Sequence, residues 1–131
     1  MNTANILVPF DRHSFDLNPL YHAFALAERI GAKILVLFFK DRNGTQGETI
    51  LLEKACLEMI HSACEEGIAV SFHIASEVFE VELFNIIKTE HINLIVLGGE
   101  DVEMESAIRG ITLGRSVQII KVKGKSKINS I

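Results

Sequence analysis

Three uninterrupted apolar runs constrain this chain most: Ile6-Leu7-Val8-Pro9-Phe10, Ile34 to Phe39 within KILVLFF, and Leu94-Ile95-Val96-Leu97 ahead of Gly98-Gly99. A strand with one wet face alternates apolar and polar residues, whereas a run apolar at every position needs cover on both faces. The segments between these runs have helical spacing instead. Asn18-Pro19 reads as an N-cap followed by proline at the first helical position. Leu20, Phe24, Ala27 and Ile30 then form a stripe, and Gly31 supplies the stop.

A polar connection, Asp41 to Glu48, leads through a possible Thr45-x-x-Glu48 capping box into a second helix bearing Leu52, Cys56, Met59, Ile60 and Ala63. Ile68 to Ala75 is predicted as a third strand, with Val70, Phe72 and Ile74 alternating against Ser71 and His73. Ser76 is expected to cap a third helix bearing Phe79, Leu83, Ile86 and Ile87. Strands alternating with amphipathic helices over short connections imply one three-layer α/β/α domain over residues 1–131. Its open sheet has about five parallel strands, with right-handed crossovers and helices on both faces. In such sheets ligands bind beyond the carboxyl ends of the strands, which directs attention to Asp11, Lys40-Asp41, Ser76 and Gly98-Gly99.

The last thirty residues admit two readings. In one, Val102 to Leu113 is a helix stopped by Gly114, and Val117 to Lys123 (VQIIKVK) is the fifth strand, as its β-branched content favours. In the other, Ser116 to Lys123 is a short helix and Lys127 to Ile131 the fifth strand.

The chain has 131 residues, 48% of them hydrophobic, enough for one core. Its longest apolar run falls far short of the ~20 residues of a membrane helix. Met1 to Asn5 lacks the basic start of a secretory signal, and Cys56 and Cys64 are too few for a disulfide scaffold, so a cytoplasmic domain is expected. Net charge is uneven. Residues 1–105 hold 7 basic and all 17 acidic side chains, a net of −10, whereas residues 106–131 hold six basic ones and no acid. No aromatic follows Phe84, so this basic segment lacks the stacking partners of a nucleic-acid binder.

Other chemistry finds little support. His13 lies near Asp11, Ser14 and Asp16, but without a nucleophile elbow or a third orienting partner. His61 and Cys64 share a helix face without the remaining ligands of a metal site. There is no P-loop, no G-x-G-x-x-G and no C-x-x-C, and the third strand ends in Ile74-Ala75-Ser76 rather than in a receiver domain's acceptor aspartate.

The strand ends do carry a resemblance. ILVPFD at 6–11, RIGAKILVLFF at 29–39, INLIVLGG at 92–99 and ITLGRSV at 111–117 together resemble universal stress protein domains over nearly the whole chain. The resemblance implies five parallel strands, dimerisation through the C-terminal strand, and descent from a family with ATP-binding and non-binding members. Family members are often longer, and the short connection after the second strand accounts for the difference. By that measure the fifth strand belongs at Lys127 to Ile131.

A candidate nucleotide pocket follows by comparison: Pro9, Asp11, Arg12, Phe39, Gly98, Gly99, Gly114 and Ser116. Asp11 matches the family aspartate that faces adenosine. Arg12 stands where glycine is usual, and Phe39 stands where a small aliphatic residue borders adenine. ATP-binding members carry G-x-x-G, nine residues, then G-[ST], so that backbone N–H groups cradle the phosphates. Here Asp101 replaces the second glycine, Arg115 separates Gly114 from Ser116, and the spacing is three residues too long. Glu100, Asp101, Glu103 and Glu105 add carboxylates that repel a triphosphate. The expectation is a non-enzymatic universal-stress-type module, acting as a homodimer or on a protein partner. It takes no membrane, nucleic acid or required cofactor, and ATP only if the altered site binds it. The alternative is an adenine-nucleotide sensor with a remodelled phosphate loop.

Overall fold

A computed structural model describes residues 4–11, 16–40, 47–75, 78–99 and 102–123. The elements alternate as the apolar pattern requires: β1 Asn5–Phe10, α1 Asn18–Ile30, β2 Lys33–Phe39, α2 Gly47–Glu65, β3 Val70–Ala75, α3 Phe79–Thr89, β4 Leu94–Gly98, α4 Val102–Ile111 and β5 Gln118–Val122. All pairings are parallel, in the order β3-β2-β1-β4-β5. The chain therefore builds outward from β1 to one edge, returns, and builds to the other.

Strand alternation divides the core in two. Ile6, Val8, Phe10, Ile34, Val36, Phe38, Leu94 and Val96 pack against Leu20, Ala23 and Ala27 of α1 and Cys56 and Ile60 of α2. Leu7, Leu35, Leu37, Phe39, Ile95 and Leu97 pack on the opposite face against Leu83 and Ile87 of α3 and Met104 and Ile108 of α4. Each central strand thus buries both of its faces, which explains why these runs carry no polar alternation. A row of tilted rings, Phe10–Phe38 and Phe38–Phe72 with centroids 6.3 and 5.9 Å apart, ties β1, β2 and β3 together under the first layer.

The fifth strand corrects an expectation. It lies at Gln118–Val122, inside the VQIIKVK segment, and not at Lys127 to Ile131, which falls outside the described residues. The physical reason is register. Ile119, Ile120 and Val122 give each core cluster an apolar contribution, and all five residues pair with Leu94 through Gly98. A helix at Ser116 to Lys123 would withdraw those β-branched side chains from both layers.

Smaller differences have local causes. The N-cap of α1 is Leu17 rather than Asn18, and the Asp16 carboxylate accepts the Asn18 N–H at 2.9 Å. The Asp16–Asn18 contact closes a turn at the helix entrance, and the N-cap itself makes no side-chain bond. Ile30 of the expected stripe is 51% exposed, and Ala23 takes its place in the core. Gly31 ends α1 in the left-handed region as anticipated, its N–H bonded to the Ala27 carbonyl. The proposed caps at Thr45 and Ser76 lie outside the described residues, and α3 starts after Val78 without a side-chain cap.

At the amino ends of the strands, two asparagines lock β1 to β4. Asn93 Oδ1 accepts the Asn5 N–H at 2.8 Å, and the Asn93 N–H donates to the Asn5 carbonyl at 3.0 Å. Asn5 Nδ2 donates to the carbonyls of Glu90 and His91, which α3 leaves unsatisfied as it ends. His91 takes a left-handed φ of 52° to make that turn.

Removing volume between the layers should be costly and removing it outside should not. Ile95→Ala, at a fully buried site, is expected to lower unfolding free energy by roughly 2–5 kcal/mol. Ile30→Ala is expected to change it by about 0.5 kcal/mol or less. Urea titrations of the two variants compare these directly.

Candidate functional site

The strand order reverses between β1 and β4, so the crevice beyond their carboxyl ends is where this fold offers a ligand site. Pro9 helps open it. The Ala4 carbonyl bonds toward β2 and the Asn5 carbonyl toward the start of β4, so by alternation Pro9 turns its missing N–H toward β4. Pairing of β1 with β4 accordingly stops at Leu7, whereas pairing with β2 continues to Phe10. A proline in a central strand is tolerated here because the two strands part at that point.

Asp11 follows β1 at the mouth of this crevice, and Gly98-Gly99 end β4 beside it. Gly99 lies against β5. Its N–H donates to the Val122 carbonyl at 2.8 Å, and a Cβ there would stand 3.4 Å from that same oxygen. A side chain would therefore be accommodated at this distance, but the Gly99 N–H is engaged in the sheet rather than aimed at a ligand. Phe39 is buried in the layer beneath α3 and α4, edge-on to Phe79 with centroids 6.0 Å apart. Lys40 follows it, its ammonium held by Glu53 of α2 at 3.3 Å. Arg12, Ser76, Glu100 and Asp101 lie outside the described residues.

Gly114 and Ser116 are at the other end of the molecule. They follow the carboxyl end of α4, with Gly114 in a left-handed turn (φ 81°), and lead into Gln118, whose N–H bonds to the Asn93 carbonyl ahead of β4. The five residues of β4 separate them from Gly98, about 13 Å at ~3.3 Å per residue. Of the candidate residues with described positions, the fold thus gathers Pro9, Asp11, Gly98 and Gly99 at one end, with Phe39 at the same end but buried in the core, and leaves Gly114 and Ser116 at the opposite one. Nor does Gly114-Arg115-Ser116 open a helix, as a phosphate-holding G-[ST] pair would need to.

α4 begins soon after Gly99, at the crevice end of the sheet, and its own side chains occupy its field. Glu103 and Glu105 stand in its first turn, where carboxylates favour the positive end of the macrodipole. Glu105 accepts from Arg109 Nε and Nη2 at 2.9 and 2.8 Å, and Lys121 Nζ of β5 stands 3.4 Å away. The Arg109 hydrogen bond above all, helped by Lys121 and opposed by partial burial, holds the Glu105 carboxyl below its usual range. Nucleophilic chemistry finds no foothold on the buried thiol either. Burial, reinforced by Glu53, pushes Cys56 up to about 12, and the exposed Cys64 lies further along α2. Among the described residues no group of three His, Cys, Asp or Glu side chains converges on a metal position, and no helix is long and apolar enough to cross a membrane.

The Glu105 cluster predicts a pH signature. Because its folded carboxyl sits below the unfolded value, its contribution is present above the ordinary carboxylate range and disappears as pH falls through the folded value. The stability difference between wild type and Glu105→Gln should therefore be constant near neutrality and shrink as pH falls below the ordinary carboxylate range. Urea midpoints measured across that range test it.

No family model matches this sequence, and no curated protein matches it by sequence. Solved structures do match its fold. Universal stress protein UspA from Lactobacillus plantarum superposes with a TM-score of 0.58 at 17% identity, covering 93% of this chain and 99% of the other. A universal stress protein from Archaeoglobus fulgidus in complex with dAMP gives 0.61 at 21% identity, over 94% and 100% of the two chains. A family protein from Arabidopsis thaliana with AMP bound gives 0.59 at 16% identity, over 94% and 93%. The five-stranded parallel sheet described above is the fold of the universal stress proteins.

Proposed function

We propose that this chain is a non-enzymatic regulatory module of the universal stress type, working in the cytoplasm through association with itself or with a protein partner, with weak, altered or absent ATP binding. The observation that carries the reading is the separation of Gly114 and Ser116 from the crevice by the length of β4. A triphosphate seated by Asp11 at the β1–β4 mouth would meet the carboxylate-bearing start of α4, a Gly99 N–H already bonded to β5 and, among the described residues, no G-[ST] helix start. Each of these withdraws a favourable contact from the phosphates while leaving the adenosine end unaffected. Self-association through the C-terminal strand, at Gln118–Val122, is part of this reading, since β5 is the last strand on its side of the sheet among the described residues.

A second reading is a sensor of adenosine monophosphates, favoured by the dAMP and AMP held by two proteins of this fold. A single phosphate asks less of the missing cradle. Thermal-shift and calorimetric titrations with ATP and AMP separate the two. The module reading expects no stabilisation by millimolar ATP and phosphate release no faster than buffer. The sensor reading expects AMP at 100 times its Kd to add about 2.7 kcal/mol, abolished by Asp11→Ala. Micromolar ATP affinity that Asp11→Ala removes would overturn the module reading.

A further inference from the structure

β5 holds a single charged side chain, Lys121, within an otherwise uncharged QIIKV. A lysine on an outer strand ordinarily discourages pairing, because its ammonium must follow the strand into any new ladder. This one is tethered. Lys121 Nζ stands 3.4 Å from Glu105 Oε1, while Glu105 Oε2 accepts from Arg109. The carboxylate belongs to the first turn of α4, so it draws the ammonium back toward that helix.

The ladder to β4 decides which backbone groups of β5 are left for a partner. The Gln118 N–H donates to the Asn93 carbonyl at 2.9 Å, and the Val122 carbonyl accepts from the Gly99 N–H at 2.8 Å. Gln118, Ile120 and Val122 therefore turn their backbone groups inward to β4. By alternation Ile119 and Lys121 turn theirs outward. The side chains of this outward pair lie on the α4 face, where Ile119 packs against the core and Lys121 meets Glu105.

A second copy running antiparallel along this edge is related by a two-fold axis normal to the sheet, which keeps both α4 faces on one side. Within the outward pair the axis can pass through residue 119, 120 or 121. At Ile119 it sets Lys121 against Val117 of the second copy, whose N–H is already given to the Arg115 carbonyl at 3.0 Å. At Lys121 it sets the two lysines directly opposite one another, which their like charges disfavour. At Ile120 it sets Ile119 against Lys121 twice over. Each outward N–H and C=O of the pair then finds a partner, each lysine stem lies along an isoleucine, and Ile120 meets Ile120 on the other face. The two lysines stand on the diagonal, about 7–8 Å apart, where each ammonium is held off by its own Glu105.

We infer that β5 pairs with a second copy in the register centred on Ile120, with Lys121 barring the register centred on itself and Glu105 as the positioning residue that keeps the two ammoniums apart. This deepens the proposed self-association at β5 and rests on it.

Sedimentation equilibrium from about 2 to 300 μM and oxidative cross-linking test this on the whole chain. Cross-linking uses a Cys64→Ser background, because that thiol is exposed. The wild type should pass from monomer to dimer across the concentration range. Ile120→Cys should cross-link fastest, since residues facing each other across the axis in a non-hydrogen-bonded pair have Cα atoms about 4.5 Å apart. Ile119→Cys and Lys121→Cys should lag, each lying about 7–8 Å from its own copy. Glu105→Gln should weaken dimerisation about three- to fivefold at low salt, and adding Lys121→Gln should restore it, which a purely structural role for Glu105 would not allow. A double variant as weak as Glu105→Gln alone would overturn the role given to this pair. A dimer that cross-links fastest through position 119 or 121 would overturn the register and leave β5 association standing. A dimer that none of the three cysteines traps would overturn β5 association as well. A wild type that stays monomeric throughout would overturn the self-association on which the register rests.

Discussion

Everything in this molecule depends on the burial of β1 from both sides. Ile6, Val8 and Phe10 fill one layer and Leu7 the other, so β1 can exist only as the middle of a sheet with helices above and below. Once β1 is central, the crossovers must run outward to β3 and back through β4 to β5, and a crevice between β1 and β4 follows from the reversal. Pro9 accentuates it from within, because a strand that lacks an N–H on its β4 side cannot continue that ladder. The site is thus a by-product of the same residues that make the core.

What the crevice can hold is decided by the other end of the fold. α4 covers the return to β5 in a single helix, and the turn through Gly114 to Ser116 is needed simply to start β5 beside Leu94. The charge division near residue 105 acquires a structural meaning in the same place. Acidic groups cluster at the start of α4, basic groups line its end and β5, and Glu105 joins the two through Arg109 and Lys121. That network stiffens the α4–β5 unit and sets carboxylates where proteins holding a polyphosphate would want donors.

Much of the fold was legible because two-sided burial leaves a strong trace. KILVLFF and LIVL lack alternation, the stripe Leu52, Cys56, Met59, Ile60, Ala63 repeats at helical spacing, and Gly31 and Gly67 both take the left-handed φ of helix stops. The fifth strand was less so. Local β-branched content pointed to 117–123, whereas likeness to longer relatives pointed to 127–131, and the local physics prevailed because Ile119 and Ile120 serve both layers. The Asp16 turn ahead of α1 and the Asn5–Asn93 lock depend on side chains meeting backbone across turns or across 88 residues, which no periodicity encodes.

Asp11 and Gly98 share one end of the sheet while Gly114 and Ser116 occupy the other. Backbone amide NMR of the labelled protein titrated with ATP addresses it residue by residue. Any shifts should be confined to the neighbourhood of Asp11, Gly98 and Gly99, with Gly114 and Ser116 unmoved. Saturable shifts at Asp11, Gly98, Gly114 and Ser116 sharing one binding constant would contradict it.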